Sequence, residues 1–161
     1  MLLALVAGSV CGCQAINPVG DTFTADLPTD APARSTLNDK QTAKLCLATA
    51  EGLLAEGHHA KAAVLFEKAR QHNGKLEVSH PLANAYAQLD MPERAIREYE
   101  RAISESPNDA NRLNDFGCFY LRRDEVEKAE QLLRSALEQQ ADHPQAIMNL
   151  GECYLRSGRV D

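Results

Sequence analysis

A side chain that returns at a fixed interval along a chain requires the same local structure to form at each return. Here Tyr86, Tyr120 and Tyr154 are spaced by thirty-four residues, and Leu82, Phe116 and Leu150 return with them. Small residues keep the same register. Ala83, Gly117 and Gly151 share one column, Ala95 and Ala129 a second, Ala102 and Ala136 a third. Within one unit, Leu82, Tyr86 and Leu89 sit at i, i+4 and i+7 on one helical face, and Ala95, Tyr99 and Ala102 form the facing stripe of a second helix. Ala or Gly at the crossing lets two helix axes approach to the short end of the usual ~8–10 Å range, with the aromatic ring beside it. The chain has no Trp, few aromatics and many helix formers, which fits helices and disfavours an all-β fold.

These columns resemble the tetratricopeptide pattern of W-x2-L-G-x2-Y followed by A-x3-F and a closing Pro. Residues 76–109 give Leu82-Ala83-x2-Tyr86, Ala95-x3-Tyr99-x2-Ala102 and Pro107, with Ser79 at the Trp position. Residues 110–143 give Leu113-x2-Phe116-Gly117-x2-Tyr120 and Ala129-x3-Leu133-x2-Ala136, with Ala141 at the Pro position. A divergent first unit spans 43–75, with Cys46, Thr49, Ala50 and Leu53 on its first helix and Ala62-x3-Phe66-x2-Ala69 on its second. Residues 144–161 supply Ile147-x2-Leu150-Gly151-x2-Tyr154, the first helix of a truncated fourth unit, as in a piece of a longer array. The resemblance implies an all-α, right-handed superhelical array of antiparallel helix pairs, about 3.5 repeats long. Asp90 with Glu93 and Asp124 with Glu127 have the form of capping boxes, predicting the start of the second helix of each pair. Ser79 before Pro81 and Asp142 before Pro144 predict starts of first helices.

The N-terminal part reads differently. Leu2–Val10 is apolar but too short to span a bilayer core of about 30 Å as a helix, and it reads as the core of a signal peptide over 1–13. Val10-Cys11-Gly12-Cys13 resembles the processing motif of bacterial lipoproteins, which makes Cys13 the lipidated residue and, with Gln14 after it, implies sorting to the outer membrane, facing the periplasm. No Lys or Arg precedes Arg34, so a cytoplasmic protein with an apolar N-terminus stands as the alternative. Residues 14–42 carry Pro18, Pro28 and Pro32 among polar residues without a period, which predicts a disordered linker. Random-coil scaling gives such a tether a reach on the order of 30 Å.

Charge and motifs exclude several functions. The net charge of −6 divides into 4 acids against 2 bases before residue 43 and 19 against 15 after it, so no basic field exists for nucleic acid. His58-His59 are adjacent and point about 100° apart on a helix, unlike convergent metal ligands at i and i+4. Cys46, Cys118 and Cys153 lack a C-x2-C partner and read as packing residues; in an oxidising compartment Cys118 and Cys153, on successive first helices, are the pair open to a disulfide. No phosphate loop, nucleophile elbow or dinucleotide fingerprint occurs, so no catalytic residue, metal or cofactor is expected.

What the resemblance implies instead is binding. In that family the first helices line a concave groove, and the facing positions carry over to Glu77, His80, Asn84, Ala87 and Gln88, then Asn111, Asn114, Cys118, Leu121 and Arg122, then Gln145, Met148, Glu152, Leu155 and Arg156. Amides such as Asn84 and Asn114 suit the backbone of a protein or peptide ligand, and Leu121 and Leu155 suit apolar contact. The carboxylate-binding variant of the family is not matched, because His80, Asp115 and Asn149 stand where its basic and amide residues are expected. Leu113–Leu121 is similar to the matching stretch of pilus-biogenesis lipoproteins of this repeat family. That points to a membrane-anchored interaction scaffold in envelope or pilus assembly. The rival expectations are a soluble array acting through self-association and the non-catalytic N-terminal part of a larger repeat protein.

Overall fold

The computed structural model describes residues 37–159, and these form seven α-helices with no strand among them. They are α1 (Asp39–Ala55), α2 (His59–His72), α3 (Ser79–Gln88), α4 (Pro92–Glu105), α5 (Ala110–Arg122), α6 (Val126–Gln139) and α7 (Pro144–Arg156). The expected signal peptide over 1–13, the Cys13 site and most of the expected linker lie outside the described residues. The linker's last four positions, Asp39 to Thr42, are already helical. Asn38 explains the early start: its side chain accepts from the Gln41 N–H at 2.9 Å while the Gln41 side chain accepts from the Asn38 N–H at 3.0 Å, a reciprocal capping box.

α1 packs on α2, α3 on α4 and α5 on α6, and each pair meets the next through α2 on α3, α4 on α5 and α6 on α7. The first helices of successive units also touch, α3 with α5 and α5 with α7, which produces a layered all-α solenoid. The columns read from sequence form its core. Leu82, Ala83, Tyr86, Ala95, Tyr99, Ala102, Leu113, Phe116, Tyr120, Ala129, Leu133 and Ala136 are all buried. Phe119 joins them. Tyr99 stacks on Phe116 at 4.8 Å between ring centroids, Phe119 lies 5.5 Å from Tyr99, and Tyr120 lies 4.7 Å from Phe116. Each such pair adds about 0.5–1.5 kcal/mol beyond its buried area. In the first unit Thr49 faces solvent and bonds back to the Leu45 carbonyl at 2.8 Å, while Ala43 takes a core place beside Cys46 and Ala50.

The turns correct one expectation. Asp90 and Asp124 do not cap the second helices; the N-cap residues are Met91 and Glu125, neither making a side-chain cap bond. Instead Gly57, Asp90, Asp124 and Gly158 occupy equivalent positions with φ of 79°, 53°, 62° and 71°. The residue after each donates its N–H back across the helix end: His58 to the Leu53 carbonyl (2.8 Å), Met91 to Tyr86 (3.0 Å), Glu125 to Tyr120 (3.0 Å) and Arg159 to Tyr154 (2.9 Å). This is the left-handed closure of a helix C-terminus. A residue in that conformation cannot also hold the extended backbone of an N-cap. α5 is capped by Asp109, which accepts from the Asn111 and Arg112 N–H groups, and α7 by His143, which accepts from Ala146. His143 thus takes the role expected of Asp142. Ser79 does open α3, but its hydroxyl donates to Glu105 at 2.7 Å and Val78 is the N-cap.

Gly117 marks the tightest crossing. A Cβ built there would lie 2.8 Å from Leu133 Cγ and 3.3 Å from the Ala129 carbonyl oxygen, and Leu133 is fully buried with no room to withdraw. The equivalent Gly151 on α7 has nothing within 4 Å. Gly117→Ala should therefore lower stability by about 1–2 kcal/mol through overpacking, and Gly151→Ala should raise it by up to about 1 kcal/mol through helix propensity, both read from urea denaturation midpoints. Asp90→Gly should stabilise by about 0.5 kcal/mol. Relief of the left-handed strain, about 1–2 kcal/mol, is partly offset by the freer unfolded chain, about 0.4–1 kcal/mol. The Asp90 side chain is almost fully exposed, with Arg123 at 3.9 Å, so little else is lost and a higher melting temperature is the expected result.

Candidate functional site

Because α3, α5 and α7 stand side by side one repeat apart, polar residues on them meet at separations of about one repeat length. Asp115 is the hub. His80 Nε2 donates to it at 2.9 Å, Asn114 Nδ2 at 3.2 Å and Asn84 Nδ2 at a long 3.4 Å. The Tyr99 hydroxyl of α4 donates to Asn84 Oδ1 at 2.6 Å, and Asn149 of α7 donates to Asn114 Oδ1 at 3.0 Å. Nearby, His143 Nε2 meets Asn111 Oδ1 at 3.1 Å. At one edge Arg112 holds Glu77 (2.7 Å), Asp109 (3.2 Å) and the Ala102 carbonyl (2.9 Å). At the other, Arg156 holds the Leu121 carbonyl (2.9 Å), Asp124 (3.4 Å) and Glu152.

This ladder sorts the residues assigned to the groove from sequence, Glu77 through Arg156. Glu77, His80, Asn84, Asn111, Asn114, Glu152 and Arg156 are engaged with other protein groups, most of them bridging successive units. Asn84 and Asn114 each use both a donor and an acceptor inside the ladder, and Asn114 is only 6% exposed, so their amides support the groove instead of presenting free hydrogen-bonding groups to a ligand. Leu121, expected to offer apolar contact, is 3% exposed and belongs to the core, because α7 covers it. The positions that are exposed and not engaged in this way are Gln88, Arg122, Gln145 and Met148, with Leu155; Cys118 is half-buried. Met148 and Leu155 are 71% and 68% exposed, an apolar end to a polar strip. The sequence signal for the hub is the spacing His80 to Asp115, one residue longer than the repeat, which offsets an acid against a base on adjacent helices.

The electrostatics favour a fixed ladder. Burial works to raise the Asp115 carboxyl, but the hydrogen bond and charge of His80 and the two amide donors outweigh it and hold the carboxyl below its ordinary value of 3.8. An ionised Asp115 only accepts, so His80 Nε2 carries the proton of their bond. Burial, reinforced by the charge of Asp115, pushes the Tyr99 phenol far up, which keeps it a neutral donor. Burial and the nearby Glu130 also raise the Cys153 thiol, so it stays protonated and unreactive. Cys46, Cys118 and Cys153 are free thiols; the Cys118–Cys153 bridge is not formed. His58 and His59 belong to no group of three or more metal-ligating side chains among the described residues.

Fold and columns together define an all-α helical-repeat protein with a hydrogen-bonded polar strip along its first helices. The family model for the cilia and flagella-associated protein 70 middle TPR-like domain matches residues 79–161, just over half of the chain, and the chain belongs to this TPR-like family. Solved structures share the fold. One is Pseudomonas aeruginosa pilF, with a TM-score of 0.66 and 24% identity over 76% of this chain and 57% of that one. Another is YrrB, described as a TPR protein with an unusual peptide-binding site, with a TM-score of 0.64 and 20% identity over 74% of this chain and 62% of that one. A third is the second TPR domain of human RPAP3 in complex with an HSP70 peptide, with a TM-score of 0.64 and 17% identity over 71% of this chain and 97% of that domain. The chain thus spans less than two thirds of the pilF and YrrB structures. No curated protein sequence matches it.

The depressed carboxyl of Asp115 makes a pH prediction. A group whose folded value lies below its unfolded one contributes stability that is present above the unfolded value and lost as pH falls through the folded value. Asp115→Asn should therefore be less stable than the parent at pH 6, and the two melting temperatures should converge as pH falls below 3.8. Glu125 and Glu130, held low at the surface by Lys128 and Arg159, titrate in both proteins and drop out of the comparison.

Proposed function

We propose that this protein is a non-catalytic scaffold that binds an extended or helical segment of a protein partner along α3, α5 and α7. We further propose that a lipid on Cys13 holds it at the outer membrane, facing the periplasm, where it serves pilus or envelope assembly. The observation that carries the binding reading is the division of labour on the strip. Its deeper polar groups are satisfied by one another, while Gln88, Arg122, Gln145, Met148 and Leu155 stand free above them. A surface so preorganised loses little conformational entropy on binding. The likeness of fold to a domain in complex with an HSP70 peptide and to P. aeruginosa pilF supports the two parts of the reading in turn. The Cys13 motif supports the anchor.

A second reading, self-association, has its own observation: Ile147, Met148 and Leu155 leave α7 with an exposed apolar face. Sedimentation of the full chain separates the two, because a monomer at high micromolar concentration is incompatible with the second.

The anchor is tested by metabolic labelling with a lipid precursor in a two-membrane bacterium. The unmodified protein should take up label and Cys13→Ala should not; absence of label from both would remove the anchor. The groove is tested by crosslinked pulldown of envelope proteins. Gln88→Ala with Gln145→Ala and Met148→Ser should cut capture by about tenfold, equivalent to about 1.4 kcal/mol, without moving the melting temperature. An unchanged capture would place the partner on another surface.

A further inference from the structure

The outward side of the first helix pair carries a chemistry that no later pair repeats. By the columns of the core, Lys61, Val64 and Leu65 of α2 correspond to Arg94, Arg97 and Glu98 of α4 and to Lys128, Gln131 and Leu132 of α6. In α4 these positions turn toward the preceding pair, where Glu98 takes Arg70 of α2 at 2.7 Å. In α2 they line an open hollow of about 500 Å³, together with Ala60 and with Leu53 of α1. Lys61 is the one charged group in its wall among the described residues. Val64 is 63% exposed, and Leu45, two four-residue steps before Leu53 along α1, is 57% exposed. Lys68 follows Lys61 two turns on along the same side of α2. Both are exposed and make no ion pair or hydrogen bond with any described residue. The same unit holds the chain's cationic surplus: residues 38–75 carry six bases against four acids, and residues 76–161 ten against sixteen. Three of those four acids have partners, Asp39 in His72, Glu56 in His58 and Glu67 in the Tyr86 hydroxyl. The fourth, Glu51, is two residues from Leu53 and so on the opposite side of α1.

We propose that this side of the first pair lies on an anionic phospholipid surface, with Val64 and Leu45 entering the boundary between headgroups and acyl chains and Lys61 and Lys68 on the phosphates. An apolar surface rimmed by lysines fits that boundary, because the long stems lie along the apolar part while the ammonium groups reach the headgroups. No described helix is long and apolar enough to cross a membrane, so the contact is with the surface. A second copy of the chain fits less well. The apolar face at the other end of the array is on α7, whose one acid, Glu152, is already held by Arg156. A contact there would cover Val64 and leave Lys61 and Lys68 without counter-charge, whereas an anionic lipid supplies both at once. The array then rises from the bilayer on its first pair, with α7 at the far end. This goes beyond the groove and anchor readings and uses neither.

The chain has no Trp, so one introduced indole reports on one place. The full chain carrying Val64→Trp is mixed with vesicles of phosphatidylethanolamine and phosphatidylglycerol, and separately with vesicles of phosphatidylcholine. Gln131→Trp, at the same repeat position on α6 and exposed, is the control. On the anionic vesicles Val64→Trp emission should shift to the blue and be quenched by lipids brominated in the acyl chain, and Gln131→Trp should do neither. Added salt should weaken the effect, and Lys61→Glu with Lys68→Glu should raise the lipid concentration for half-maximal shift by at least roughly tenfold. Both lysines are exposed and unpaired, so the melting temperature should stay where it is. An N-terminal tether to the vesicle acts alike on both Trp variants, so the difference between positions 64 and 131 is the readout. Val64→Trp left unquenched, quenched no more than Gln131→Trp, or quenched as strongly on phosphatidylcholine and in the lysine variant, overturns the inference. So does a blue shift without lipid: one that grows with protein concentration gives the face to a second copy, and one present at every concentration gives it to the chain itself. Failure of Cys13 to take up label, or of the groove variants to lose capture, overturns those readings and leaves this result unaffected.

Discussion

The approach of α5 to α6 at Gly117 and Leu133 is the constraint on which the array depends. A missing Cβ on one helix admits the branched end of a side chain on the other, and the same place is taken by Ala83 against the Ala95 and Tyr99 helix one unit earlier. Close axes leave no room for a large residue at the crossing, so the volume is filled from its flanks. Tyr99, Phe116, Phe119 and Tyr120 do this as one aromatic cluster that spans two units. The cluster ties α4 to α5, so the core is continuous through the boundary between repeats and neither unit is a free-standing domain.

Once the crossing fixes the pair, the turn between its helices has little freedom. Four turns close with a left-handed residue and an N–H returned to the helix it leaves, and the residue is Gly in two cases and Asp in two. Asp is tolerated there because a short polar side chain adds less clash than a branched one. Repetition of the turn then sets the separation of first helices, and that separation brings residues about thirty-five apart into hydrogen-bonding range. The polar ladder is thus a product of the same register as the core. Its bonds run from one unit to the next, which lets it resist sliding of one pair against another.

The residues that fill space were legible in the sequence, because packing imposes periodicity on them. Tyr86, Tyr120, Ala95 and Gly117 were placed by spacing alone. Residues whose role is set by backbone conformation were less so: D-x-x-E after an apolar stripe reads equally as a start signal or as a stop, and only the φ of Asp90 and Asp124 decides. The polar strip was legible to the level of which helices carry it. Equivalent positions differ in exposure according to the helix packed over them, since Leu121 is covered by α7 while Leu155 has no further first helix on it among the described residues. Satisfaction of hydrogen bonds is invisible to periodicity as well, so Asn84 and Asn114 read as free recognition groups when they are structural.

That difference bears on how a repeated surface acquires a single address. The thirteenth positions of the last three units are Gln88, Arg122 and Arg156, two of them cationic by sequence. Arg156 is neutralised by Glu152 and Asp124 and commits a further donor to the Leu121 carbonyl, so its charge is consumed in joining α7 to α5. Arg122 has no acid in the corresponding places: the residue four before it is Cys118, where Arg156 has Glu152, and the residue thirty-two before it, Asp90, lies by Arg123 instead. A near-neutral groove built from like units therefore carries one uncompensated charge at one point among its described residues. Under the proposed groove binding, long-range attraction between a partner and so balanced a surface would be weak, and selectivity would fall to short-range fit around that charge, where an unmatched partner group would be desolvated without compensation.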